Sequence, residues 1–122
     1  MTLRVAAIAA GCLLTLLVVS RRPENLVTPQ FYAEDGRIFF QEAYNDGFLP
    51  TLARPTAGYL NTMPRLMAGG AVLAPLARAP LVVALLALVV QMLPVFYLLS
   101  PRAASLIPGF AGRLAAALMS IQ

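Results

Sequence analysis

The sequence predicts an all-α membrane fold with three transmembrane helices plus a partial fourth, and a short amphipathic surface helix in the first loop. Three observations carry that expectation. Sixty per cent of the 122 residues are hydrophobic and 11% are charged, whereas soluble domains run at about 45–50% and about 25%. Apolar runs long enough to cross a bilayer recur along the chain, separated by segments rich in arginine and proline. The charge is segregated: nine basic residues, all arginine, extend from Arg4 to Arg113, while all five acids fall between Glu24 and Asp46. No basic cluster exceeds two residues, so the net +4 reflects membrane topology, with the lipid bilayer as partner and no nucleic acid. A single cysteine, Cys12, and no histidine exclude an internal disulfide and the usual zinc and histidine-based nucleophile sites. No metal or cofactor is expected.

Residues 1–20 read as the first transmembrane helix. Leu3 to Ser20 is an 18-residue run broken only by Arg4, about 27 Å of helix, which spans with flanking residues at the interfaces. An anchor, a cleaved signal and a lipoprotein signal all begin this way. The run ends in "VVSRRPE", without the small residues a cleavage site needs, and the strongest apolar stretch follows Cys12 of "AAGC" instead of preceding it. Both features favour the anchor.

Residues 21–58 form a loop outside the bilayer, punctuated by Pro23, Pro29, Pro50 and Pro55. Within it, 35–46 reads as the surface helix. Asp35 is a good N-cap, Phe39, Phe40, Ala43 and Tyr44 recur at helical spacing, and Gly47 stands where a left-handed C′ residue belongs. The apolar stripe should lie along the membrane surface or pack on neighbouring helices. Residues 59–78 are the second span, with Tyr59 as an interfacial aromatic and Arg65 near one end, and "RAP", Arg78 to Pro80, is the turn after it. Residues 79–100 are the third, containing the uncharged run Leu81 to Leu99 with Pro94 as the point of a kink. Residues 101–122 are a loop and the start of a fourth helix. From Leu114 only nine residues remain, about 13 Å of helix, so the chain is expected to be a fragment of a longer protein.

The candidate chemistry lies in the first loop. Glu34 and Asp35 have a structural role open to them, capping the surface helix and complementing its positive end. They have a chemical one too, because partial desolvation at a membrane surface raises a carboxyl pKa and makes a general base. Arg65 is costly inside a span and should meet either a phosphate or a carboxylate, the choices being Glu34, Asp35, Glu42 and Asp46. Arg21 and Arg22 read as interfacial anchors.

One further pattern runs from Phe31 to Gly70. Glu34, Asp35, Gly36, Phe39, Ala43, Gly47, Gly58, Tyr59, Leu60, Pro64 and Arg65 follow an "ED-G…F…A…G…GYL…PR" order. This order resembles the amino-terminal part of bacterial multi-pass glycosyltransferases of the GT-C class. The resemblance implies inverting transfer of a sugar from a polyprenyl-phosphate-linked donor to an acceptor at the outer face of the bacterial cytoplasmic membrane. It implies Asp35 as the base near the acceptor hydroxyl, Glu34 as its neighbour, and Arg65, Arg54, Arg37 and Tyr59 at the donor phosphate. It also makes the first loop extracytoplasmic, against the positive-inside count of Arg21, Arg22, Arg37, Arg54 and Arg65. The amino terminus and Arg78 are then expected inside, and Glu34, Asp35 and Arg102 outside. Two other classes fit the residues: a small non-enzymatic multi-pass subunit or scaffold, and part of a transporter or flippase. The latter calls for polar groups midway through its spans, where Leu81 to Leu99 offers only Gln91 and Pro94.

Overall fold

The computed structural model describes residues 2–122. Among them the chain is helical, with no strand beyond an isolated bridge between Thr56 and Tyr59. The α-helices are α1 (Leu3–Arg21), α2 (Glu24–Val27), α3 (Gln41–Asp46), α4 (Phe48–Leu52), α5 (Thr62–Val72), α6 (Ala79–Leu99) and α7 (Phe110–Ser120). A π-helical segment, Asp35–Phe40, leads into α3, and 3-10 turns at Leu76–Arg78 and Pro101–Ser105 flank α6. The chain forms two compact units, one from the amino-terminal residues through Pro23 with Leu88–Gln122, the other Glu24–Ala87.

In the first unit, Leu14 of α1 packs with Met92, Val95 and Leu99 of α6 and with Ala117 and Ile121 at α7. Gly11 makes the approach close, since a β-carbon there would lie 2.7 Å from the Phe96 ring. Arg4, Ala7 and Ile8 line one groove with Leu99, Ser100 and Pro101, so α1 and the second half of α6 run antiparallel. Arg21, at the other end of α1, donates from Nη1 to the Ile121 carbonyl at 2.7 Å. Arg113 is 3% exposed. Its Nη1 donates to the Ser100 carbonyl at 2.7 Å and its Nε to the Gly109 carbonyl at 3.4 Å, which ties the chain after α6 to the start of α7.

Two helical stretches are long and apolar enough to cross a membrane, Leu3–Arg21 and Leu76–Leu99. Of the most apolar 18 residues in each, 11% are buried. Leu13, Leu16, Val89 and Leu93 therefore face outward, which distinguishes these helices from the core helices of a soluble domain. The expected span at 59–78 has a different form. Here α5 holds 11 residues, about 16 Å against a hydrocarbon core of about 30 Å. Proline places the break: Ala74 precedes Pro75, and a residue before proline is disfavoured in the helical region. The turn expected at Arg78–Pro80 thus lies at Leu73–Pro75, and Pro80 sits in the first turn of α6, where its missing N–H has no intrahelical partner to lose. With α1 antiparallel to the second half of α6, Arg102 follows the end of α6 that lies beside Arg4.

In the second unit, Phe39, Phe40 and Ala43 pack on Ala68 and Ala71 of α5 and on Ala79. The apolar stripe of the surface helix is therefore spent on a neighbouring helix, except for Tyr44, which is exposed. Phe31 folds back over Gly36, whose absent β-carbon would lie 2.6 Å from that of Phe31, and its ring lies 4.9 Å from Phe40.

Candidate functional site

The polar residues of the second unit separate into an ion-paired network and an unpaired pair of acids. The network is built on α3, where Glu42 and Asp46 stand one turn apart on the same face and would repel each other alone. Arg65, in the first turns of α5, reaches across to them. Its Nη1 donates to Glu42 Oε2 at 2.9 Å, its Nη2 donates to Thr56 Oγ1 at 2.7 Å, and its guanidinium carbon lies 5.2 Å from the centre of the Phe39 ring. Arg65 is 2% exposed, and its Nε is buried without a hydrogen-bond partner. Arg54 donates from Nη1 to Asp46 Oδ2 at 2.8 Å and lies 3.4 Å from the same Glu42 oxygen. The hydrogen bond to Asp46 holds the Arg54 guanidinium above its usual range. Of the partners open to Arg65, the structure pairs it with Glu42.

Thr56 reaches Arg65 because the chain reverses tightly beside it. Thr56 and Tyr59 exchange backbone hydrogen bonds at 2.9 and 3.0 Å around Ala57 and Gly58, both with positive φ, the geometry of a type I′ turn. Glycine adopts that backbone freely, whereas Ala57 is strained in it. Tyr59, at the end of this turn, is 73% exposed.

Asp35 stands apart from the network. It was expected to cap the helix. Instead Glu34 already has helical dihedrals, φ −81° and ψ −15°, and no side-chain cap is made, so Asp35 is the first residue inside the π-helical segment. Its N–H donates to the Tyr32 carbonyl at 2.8 Å. Half-burial pushes its carboxyl above the ordinary carboxylate range, and the neighbouring Glu34 charge pushes the same way. Among the described residues neither Glu34 nor Asp35 pairs with an arginine. Arg37, on the same segment, is exposed and also without a partner among them. Gly47 ends α3 with φ +91° and ψ +151°, a positive-φ break but not the left-handed helical C′ geometry expected.

The sequence singled out Asp35, Glu34, Arg37, Arg54, Arg65 and Tyr59 as site residues. Arg54 and Arg65 come together on α3; Asp35, Glu34 and Arg37 share the adjoining turn. Thr56 and Arg113 were missed, since a lone threonine and a lone arginine carry no signal until the fold supplies their partners. Family models, curated proteins and solved structures all gave no match to this chain.

Proposed function

We propose that the Glu24–Ala87 unit is the acceptor-activating loop of an inverting, polyprenyl-phosphate-dependent glycosyltransferase of the bacterial cytoplasmic membrane, with Asp35 as general base. One observation carries the reading: a half-buried carboxyl, pushed above its usual range, that no arginine neutralises. A base works best when its pKa approaches the working pH, and burial beside a second acid moves Asp35 that way. Single π-helical turns are frequent at functional sites, and this one carries Asp35 at its start. In the step itself Asp35 takes the acceptor hydroxyl proton while the oxygen attacks the anomeric carbon. The bond from that carbon to the carrier phosphate breaks, and the phosphate leaves with the electron pair. Arg37 is the open guanidinium for that anion, while Arg54 and Arg65 hold the loop together.

A second reading, a non-enzymatic membrane subunit, is favoured by the network itself, which commits two of the proposed phosphate ligands to carboxylates. Asp35→Asn in the chromosomal gene separates the two. It keeps shape and removes charge, so membrane insertion should be unchanged while transfer of radiolabelled sugar from its polyprenyl carrier falls by ~10² or more. Full transfer in Asp35→Asn and in Glu34→Gln would leave the subunit reading standing.

A further inference from the structure

Lined by residues from Glu24 to Ala33, two positions before Asp35 in the chain, lies an open cleft of about 450 Å³, within the range of small-molecule sites and untouched by the ion-pair network. We propose that it binds a neutral sugar or polyol through the Asn25 and Gln30 side-chain amides, an inference that deepens the glycosyltransferase reading and takes it as premise for which substrate, the acceptor, is held.

The lining chemistry leads to that ligand class. Asn25 and Gln30 each offer a donor and an acceptor, and neither has a hydrogen-bond partner among the described residues. Glu24 adds a carboxylate. Thr28 spends its hydroxyl proton toward the Glu24 carbonyl at 3.4 Å and keeps its oxygen as an acceptor. A ligand rich in hydroxyls, each both donor and acceptor, meets such a set; an anion does not, because the one charged lining group, Glu24, is acidic. Phe31 and Tyr32 supply ring surface for the apolar C–H face of a sugar.

The wall is built by the fold. Phe31 is pinned between Gly36 and Phe40, and the Tyr32 carbonyl is tied to the Asp35 N–H. Between them and Asp35, Ala33 holds a positive φ of 41°, a conformation costly for any residue but glycine. The cleft and the proposed base are therefore parts of one short, constrained turn.

The chain has three asparagines and four glutamines, so the side-chain amides of the full chain in micelles are few enough to resolve by NMR after selective ¹⁵N labelling. Titration with the methyl glycosides of glucose, galactose and mannose should move the Asn25 and Gln30 signals saturably, with Kd in the millimolar range, and leave Asn45 and Asn61 in place. Removing either amide, by Asn25→Ala or Gln30→Ala, should weaken binding about fivefold. No movement at Asn25 and Gln30 with any glycoside, or movement with inorganic phosphate instead, would overturn the proposal. Asp35→Asn distinguishes its failure from that of the premise. Retained glycoside shifts with unchanged transfer would sink the base and leave the cleft, whereas lost transfer with no shifts in the unsubstituted chain would sink the cleft and leave the base.

Discussion

Glu42→Gln tests whether Arg65 is held as a buried cation. Arg65 is 2% exposed and has a single carboxylate partner, whereas the Glu42 side chain is 27% exposed and shared with Arg54. Breaking a buried pair by removing one partner costs about 3–5 kcal/mol, because the remaining charge is stranded. Glutamine retains an oxygen for Nη1 and the site has partial access to water, which brings the expected loss to about 2–3 kcal/mol. Arg65→Met is the control. It removes the stranded charge together with the unpartnered Nε, and it leaves Glu42 able to reach solvent and Arg54, so its cost should be the smaller of the two. The double variant should resemble Arg65→Met, giving a favourable coupling in the cycle. Hydrogen exchange of the α5 amides reads the local opening free energy directly. A larger loss in Arg65→Met than in Glu42→Gln would show that the guanidinium acts by packing and that its charge is not what the network stabilises.

The remaining predictions address sidedness, the cleft wall and pH. In a Cys12→Ser background, single cysteines at Ala57 and Ala104 should label from opposite sides of the membrane with an impermeant thiol reagent; labelling from the same side would restore the three-span arrangement. Gly36→Ala should cost about 1–3 kcal/mol, because the new methyl meets the Phe31 β-carbon, which cannot swing away as a side-chain tip would; unchanged α3 exchange rates would refute that contact. Because the Asp35 pKa is raised from 3.8 in the folded chain, the folded state binds the proton more tightly. The Asp35 contribution to stability is fully present below that value and is lost as pH rises through the folded pKa. Asp35→Asn should flatten this part of the profile, and an unaltered profile would place the titration elsewhere.

The parts of the fold legible in sequence are those that composition alone determines. Leu3–Arg21, charged only at Arg4 and Arg21 near its ends, and the uncharged core of Ala79–Leu99 are apolar over about a bilayer's width, and no tertiary contact is needed to recognise them. The stretch after Tyr59 has similar composition but is interrupted by a backbone event. Pro75 and Pro80 look alike in sequence, and only their position relative to a helix start decides that the first breaks the chain and the second does not. The Asp35 cap failed for a related reason. An aspartate before an apolar helical pattern is a sound capping signal, yet Glu34 already holds helical dihedrals, so the boundary lies one residue earlier. The partner of Arg65 was legible only as a set of four acids, since choosing Glu42 requires knowing that α3 lies against α5.

The segregation of acids into one loop acquires a physical sense from these pairings. A guanidinium near a carboxylate favours its charged form and lowers its pKa. Had Arg54 or Arg65 reached Glu34 or Asp35, the result would have been an inert carboxylate of ordinary or depressed pKa. Instead Glu42 and Asp46 take both arginines, and Glu34, left unneutralised, acts on Asp35 as a like charge. The acids of α3 thereby keep the arginines away from the turn that precedes it. Burial, and after it Glu34, raise the Asp35 pKa; substitutions such as Glu42→Gln, which release a guanidinium, should lower it as well as destabilise α5, a coupling readable by carboxyl NMR titration. A Glu42→Gln chain with an unshifted Asp35 titration would show that burial alone sets that pKa, and that the division of charge along the loop has no bearing on its chemistry.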